Sequence, residues 1–99
     1  MAADINPGLP GADLVAQGAA DLAGRRETAE ALLVSIGAPK LRSLGLTLAE
    51  PFLDPEKRLY ALLSREGSDA AHSRYNALLR RLVGYERAVA CAGSRTGSR

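Results

Sequence analysis

The sequence predicts an all-α fold, a small helical bundle of three main helices at about residues 13–36, 55–66 and 69–92, with a short helical turn near 39–44. Four aromatic residues and no Trp leave Leu, Val and Ala to form the core, a composition that suits helix-on-helix packing. Apolar residues recur at steps of three and four in the long segments. Strand-like alternation is confined to Leu46-Thr47-Leu48, so we expect no sheet.

A chain of 99 residues with no internal linker predicts one domain. Residues 1–11 hold two prolines and two glycines and are expected to form a flexible leader. Residues 12–92 form the predicted helical domain. Residues 93–99 consist of Gly, Ser, Thr and Arg and are expected to be a disordered tail.

The first predicted helix begins with Asp13 as N-cap and is closed by Gly37, with Pro39 just beyond as a stop. Gly18 and Gly24 each disfavour a helix interior by about 1 kcal/mol relative to Ala, so its first half is expected to be the weaker one.

The segment after Pro39 permits one or two helical turns, which Gly45 would end. Pro51 favours an extended connector, and we expect this connector to hold Leu46, Leu48 and Phe52 against the core.

The second helix has a strong predicted start at Asp54-Pro55-Glu56, where a capping carboxylate precedes a proline at the first helical position. Gly67 is expected to end this helix with a left-handed step.

The third helix carries the most regular pattern in the chain. Its apolar positions follow steps of four and three, the spacing of a seam between two packed helices. They are Ala71, Tyr75, Leu78, Leu82, Tyr85 and Val89. Most of the remaining circumference is basic, with Arg74, Arg80, Arg81 and Arg87.

The net charge of +2 is too small to imply nucleic acid by itself, but the charge is unevenly divided. Residues 1–39 hold two basic and five acidic residues, a net −3, whereas the eleven basic and six acidic residues from Lys40 onward give +5. We expect the two halves to attract one another, or the basic half to face an acidic partner.

Few residues in the sequence could support a metal, a cofactor or catalysis. One cysteine, one histidine and no paired acids at ligand spacing predict no metal site and no cofactor. Cys91 cannot form an internal disulfide and lies about 28 Å along a helix from His72, too far for that base to activate it. The absence of a long apolar run and of a signal-peptide pattern predicts no membrane association and a cytoplasmic protein.

Arg65 and His72 are separated by seven positions, with the polar Glu66 directly after the arginine. This spacing resembles the active motif of HEPN-type ribonucleases, helical proteins in which the pair faces a phosphate across a dimer interface. The resemblance covers eight residues and implies RNA cleavage. In that family the motif starts a helix, whereas Gly67 is expected to break the helix here, so we interpret His72 as a solvated side chain.

The sequence therefore predicts a protein-protein interaction or dimerisation module without catalytic activity. Two long helices of about 24 residues extend some 35 Å, and a short helix of about 16 Å cannot cover both, so a homo-oligomer or another protein should cover the rest. The expected interface residues are Tyr75, Leu78, Leu82, Tyr85 and Val89, and the expected electrostatic contacts are Arg74, Arg80, Arg81 and Arg87.

The alternative is a nucleic-acid-binding protein that uses the same four arginines. We do not favour it, because the front of the third helix, which usually meets bases and phosphates in a helix-turn-helix, carries Asp69 and no basic residue.

Overall fold

The computed structural model describes residues 8–97, with the side chains of residues 8–91. These residues form three helices and no strand: α1 (Ala12–Ala23), α2 (Ala29–Ser43) and α3 (Pro55–Gly97). The predicted all-α class is confirmed. The helix α2 packs extensively against both α1 and α3, which make far fewer contacts with each other, so α2 lies at the centre of the bundle.

The prediction of one helix over 13–36 is wrong, because the chain reverses between α1 and α2. Gly24 ends α1, and Arg25 adopts a left-handed φ of 56°. Thr28 is extended and its Oγ1 accepts a hydrogen bond from the backbone N of Ala31 at 3.1 Å, which caps α2. Two separate helices therefore replace the single predicted one.

The predicted stop at Gly37 and Pro39 is also wrong, since α2 continues through both residues to Ser43. Gly37 is buried, and a Cβ there would lie 2.9 Å from a methyl group of Leu82, so this glycine permits close packing against α3. The short turn predicted near 39–44 is the final part of α2.

The two predicted helices 55–66 and 69–92 both belong to α3, which is interrupted at Gly67 (φ 162°, ψ 96°). The break is where the sequence predicts it, but its φ is extended rather than left-handed. The helix runs to Gly97 and so includes most of the segment 93–99 for which disorder is predicted. Residues 1–7 of the predicted leader and residues 98–99 lie outside the described residues.

The end of the predicted leader packs onto the bundle. Leu9 is partly buried against the core, and Gly11 caps α1 with a φ of 78°. A Cβ on Gly11 would lie 3.0 Å from the carbonyl oxygen of Arg81 and 3.3 Å from Cβ of Tyr85. Positive φ and close approach to α3 both favour glycine at this position.

The core is aliphatic and centred on α2, whose residues 31–35 are all buried because α1, α3 and the connector cover different sides of it. The largest fully buried side chains are Tyr85, Leu22, Leu32, Leu33, Leu41, Leu59, Leu63, Val15 and Val34. Burial of these side chains supplies the main favourable term in folding.

The connector between α2 and α3 is extended and lies on the core as predicted: Leu46 is buried, and Leu48 and Phe52 are partly buried. Two arginines hold its carbonyl groups. Arg25 donates from Nη1 to the oxygen of Glu50 at 2.6 Å, and its guanidinium carbon lies 4.6 Å from the centre of the Phe52 ring.

Arg42 donates from Nη2 to the oxygen of Ala49 at 3.0 Å. The buried hydroxyl of Ser35 donates to the oxygen of Ala31 at 2.9 Å and accepts from the backbone N of Phe52 at 3.1 Å. The connector is thus tied to the α1–α2 turn and to the middle and the C-terminal end of α2.

A buried carboxylate, Asp21, organises the turn between α1 and α2. Its oxygens accept hydrogen bonds from the Thr28 hydroxyl at 2.8 Å, from Nη2 of Arg26 at 2.9 Å and from Gln17 at 3.0 Å. The Thr28 bond, supported by Arg26 and Gln17, lowers the pKa of Asp21 below its ordinary value, although burial acts in the opposite direction.

Replacing Asp21→Asn should lower the free energy of unfolding at neutral pH by about 1–3 kcal/mol, since the charged acceptor is lost. Because the pKa of Asp21 is lower in the folded state than its ordinary value of 3.8, the carboxylate stabilises the fold above that value. This contribution disappears as the pH falls through the folded-state pKa. Urea unfolding at neutral and acidic pH should show a gap between wild type and Asp21→Asn that closes in acid; a constant gap would contradict this account.

Replacing Gly18→Ala should destabilise the fold by about 1–3 kcal/mol, because the new Cβ would overlap the carbonyl oxygen of Glu30 and a methyl group of Val34 and push α1 from α2. Gly84→Ala is the matched control, since a Cβ there meets nothing within 4 Å. The control should stabilise α3 through its higher helix propensity. Thermal unfolding of the two variants should therefore shift in opposite directions; shifts in the same direction would refute the steric explanation.

Candidate functional site

The predicted interface residues on α3 face the interior of this chain. Leu82 is 3% exposed and Tyr85 1% exposed, so neither is accessible in this conformation. Tyr75, Leu78 and Val89 are partly buried and pack against the same core. The regular seam on α3 is therefore the face that covers α2.

The four predicted contact arginines divide into two pairs. Arg74 forms an ion pair with Glu66 at 2.9 Å, and Arg81 forms one with Asp13 at 3.4 Å. Among residues 8–91, whose side chains the structure describes, Arg80 and Arg87 have no ion-pair partner. Their charges are the ones available to an external group.

Arg80 and Arg87 border a shallow groove on the side of α3 that faces away from α2. We call this groove the outer face, and its residues follow the three- and four-residue spacing of one helix side. It is lined by Asn76, Leu79, Arg80, Val83, Gly84 and Arg87. Val83 is 41% exposed, and the space above Gly84 is open. Between the two arginines the surface is formed by Val83 and Gly84, so a helix with small apolar side chains could pack there while its acidic side chains pair with the arginines.

The sequence does not distinguish the outer face from the seam. Leu79 and Val83 look like a widening of the apolar seam, and only the fold shows that Val83 points away from α2. The one feature of the sequence that could have indicated the outer face is the placement of Val83 and Gly84 between Arg80 and Arg87.

A cluster of aromatic rings lies at the break in α3. The ring centre of Tyr60 is 5.5 Å from that of Tyr75 and 6.5 Å from that of His72. Burial, together with the nearby Glu56 carboxylate, raises the pKa of Tyr75. The exposed His72 ring nitrogen Nε2 lies 3.1 Å from the Asn76 amide.

Arg65 lies in a different environment from His72. It lines a cleft with the α1–α2 turn, in which Glu27, Glu30 and Glu66 also take part. His72 instead contacts Tyr60 and Asn76. Within residues 8–91, no hydrogen bond, ion pair or ring contact joins Arg65 to His72.

Other candidate groups are isolated. Cys91 is exposed, and residues 8–91 contain no cluster of three His, Cys, Asp or Glu side chains suited to a metal ion. Glu86 is partly buried beside α2, and this burial raises its pKa, with Lys40 acting in the opposite direction. In the described part of the chain, no helix is both long and apolar enough to cross a bilayer.

Comparison of this chain with protein-family models, with curated proteins and with solved structures finds no match.

We expect no RNA cleavage that depends on His72, because the break at Gly67 lies between Arg65 and His72 and the two side chains contact different partners. Purified protein incubated with single-stranded and structured RNA should leave the substrate intact on a denaturing gel. Any residual cleavage should be unchanged in His72→Ala. Cleavage that is lost in both His72→Ala and Arg65→Ala, with Lys57→Ala active as control, would establish the ribonuclease instead.

Proposed function

We propose that this protein is a non-catalytic helical interaction module that forms a homodimer, with the outer face of α3 bound to the exposed side of α1 from a second copy. The observation that carries the proposal is the outer face itself, where exposed Val83 and open Gly84 lie between Arg80 and Arg87, neither of which has an ion-pair partner among residues 8–91.

The exposed side of α1 is complementary to that face in charge and in size. Most of its side chains are small, and its one acidic side chain, Asp13, stays 85% exposed while it is paired with Arg81. The exposed positions are Asp13, Ala16, Gln17, Ala20 and Ala23. Small residues on both helices would permit a close crossing, as Gly18 does between α1 and α2 within the chain.

The two surfaces also match in length and lie next to each other. The helix α1 has 12 residues and extends about 18 Å, the same as the span from Asn76 to Arg87. The ion pair between Asp13 and Arg81 joins the start of α1 to α3 beside the outer face. In a two-fold dimer each copy would then contribute α1 to one crossing and α3 to the other.

The uneven charge of the chain supports the same pairing. Residues 1–39 carry a net charge of −3 and residues 40–99 carry +5, so α1 of one copy attracts α3 of another. Because only Val83 and Leu79 offer sizeable apolar area, the contact is expected to be weak and to form at high protein concentration.

Nucleic acid is the second candidate partner, since the unpaired Arg80 and Arg87 would also attract phosphate groups. This binding would weaken steeply as salt rises from about 50 to 200 mM. Nucleic-acid binding would be lost in the double variant Arg80→Ala and Arg87→Ala, and replacing Val83 by another apolar residue would hardly affect it.

Light scattering across a dilution series should show a monomer-dimer equilibrium, and Val83→Glu should weaken it at least tenfold, equivalent to about 1.4 kcal/mol. The introduced charge adds desolvation at the centre of the contact. Arg87→Glu should weaken it as well.

Leu53→Glu and Lys57→Glu are the matched controls, because Leu53 is 77% exposed and both residues lie outside the outer face. They should leave the equilibrium unchanged. A protein that stays monomeric at millimolar concentration, or that loses the dimer equally in the controls, would refute the proposal. Salt-sensitive retention of a labelled DNA duplex or RNA strand would favour the second candidate.

A further inference from the structure

The break in α3 depends on a single residue. Gly67 is the one position within Pro55–Gly97 marked by non-helical backbone angles, and a Cβ built there would meet nothing within 4 Å. The segments on either side, 55–66 and 68–97, are otherwise regular helix. A side chain at residue 67 therefore has room in the bent conformation, and a substitution there would act on the break through helix propensity rather than through a clash.

The ion pair and the ring contacts that span the break are on the surface, and the first residue after the break that is buried in the core is Ala71. The Glu66 and Arg74 side chains that form the ion pair are 52% and 46% exposed. The ring contacts of Tyr60 with Tyr75 and His72 involve partly or fully exposed side chains. Exposed ion pairs stabilise a geometry only weakly, so these local contacts do little to fix the bend.

The segment 68–97 is held instead by contacts with distant parts of the chain. Leu82 packs against Gly37 of α2, and the Cβ of Tyr85 lies next to Gly11. The segment makes these contacts with residues 8–66, which we call the body. The body of a second copy offers the same contact residues, so the segment could make the same contacts with it.

We infer that two copies exchange the segment 68–97: α3 straightens at Gly67, and each segment packs on α2 of the other copy through the contacts it makes in the monomer. A straight α3 of 43 residues would extend about 64 Å, long enough to carry the segment away from its own α2. Exchange of an identical element is a general route to dimers. This inference does not rest on the outer face, which the exchange leaves exposed.

The identity of residue 67 should control the balance between closed and exchanged forms. Glycine is the weakest helix former apart from proline, and alanine the strongest. Gly67→Ala should therefore raise the dimer fraction several-fold after annealing just below the unfolding midpoint, as measured by size exclusion with light scattering. Ser73→Ala also raises helix propensity, but within the regular part of α3 and outside the outer face, so it should not raise the dimer fraction.

Chemical cross-linking identifies the dimer. In a Cys91→Ser background, Asp13→Cys with Arg81→Cys places thiols at the ion-paired positions of the body and of the segment. A short bismaleimide should join two chains in the isolated dimer of Gly67→Ala and should link positions within one chain in the monomer. Val83→Glu separates the two modes: it should leave the exchanged dimer intact, because exchange leaves the outer face exposed, and it should dissociate a dimer formed through that face.

A dimer fraction in Gly67→Ala equal to that of wild type, or a dimer whose link stays within one chain, would overturn the inference. Should Gly67→Ala fail to fold, Gly67→Ser decides, because serine also forms helix better than glycine and therefore also favours a straight α3. More dimer joined between chains would support exchange, and no increase over wild type would overturn it.

Discussion

The structure depends on how closely α2 approaches its two neighbours. Gly18 of α1 lies against the backbone of α2 at Glu30, and Gly37 of α2 lies against the side chain of Leu82 in α3. Neither contact leaves room for a Cβ without movement. With both approaches in place, residues 31–35 are sealed on every side. In a domain this small, an aliphatic helix closed off in this way supplies much of the available apolar burial.

Polar side chains then fix the remaining parts relative to α2. Asp21 holds the α1–α2 turn through Thr28 and Arg26, while Arg25 and Arg42 hold the connector by its carbonyl groups. The bonds of Asp21 act within the turn and set the direction of α1 relative to α2, whereas the bond from Arg25 to Glu50 joins positions 25 residues apart and fixes the connector beside that turn.

The sequence predicts the features that depend on local signals: the all-α class, the helix start at Pro55, the break at Gly67 and the extended connector. It misses features set by distant contacts. The α1–α2 turn requires Asp21 and Glu50 as partners for Arg26 and Arg25. At the candidate site, the periodicity of the sequence indicates that α3 has an apolar side. It does not show that Leu82 is buried whereas Val83 is exposed. The pairing of Arg81 with Asp13, 68 positions apart, is likewise invisible in the sequence.

Arg25 has a left-handed backbone that favours glycine, and it keeps this conformation while its side chain reaches Glu50 and Phe52. The connector therefore supplies the contacts that offset the unfavourable backbone of Arg25. Before residues 50–52 have left the ribosome these contacts are absent, and the turn between the first two helices then depends on the bonds of Asp21 to Thr28 and Arg26 alone.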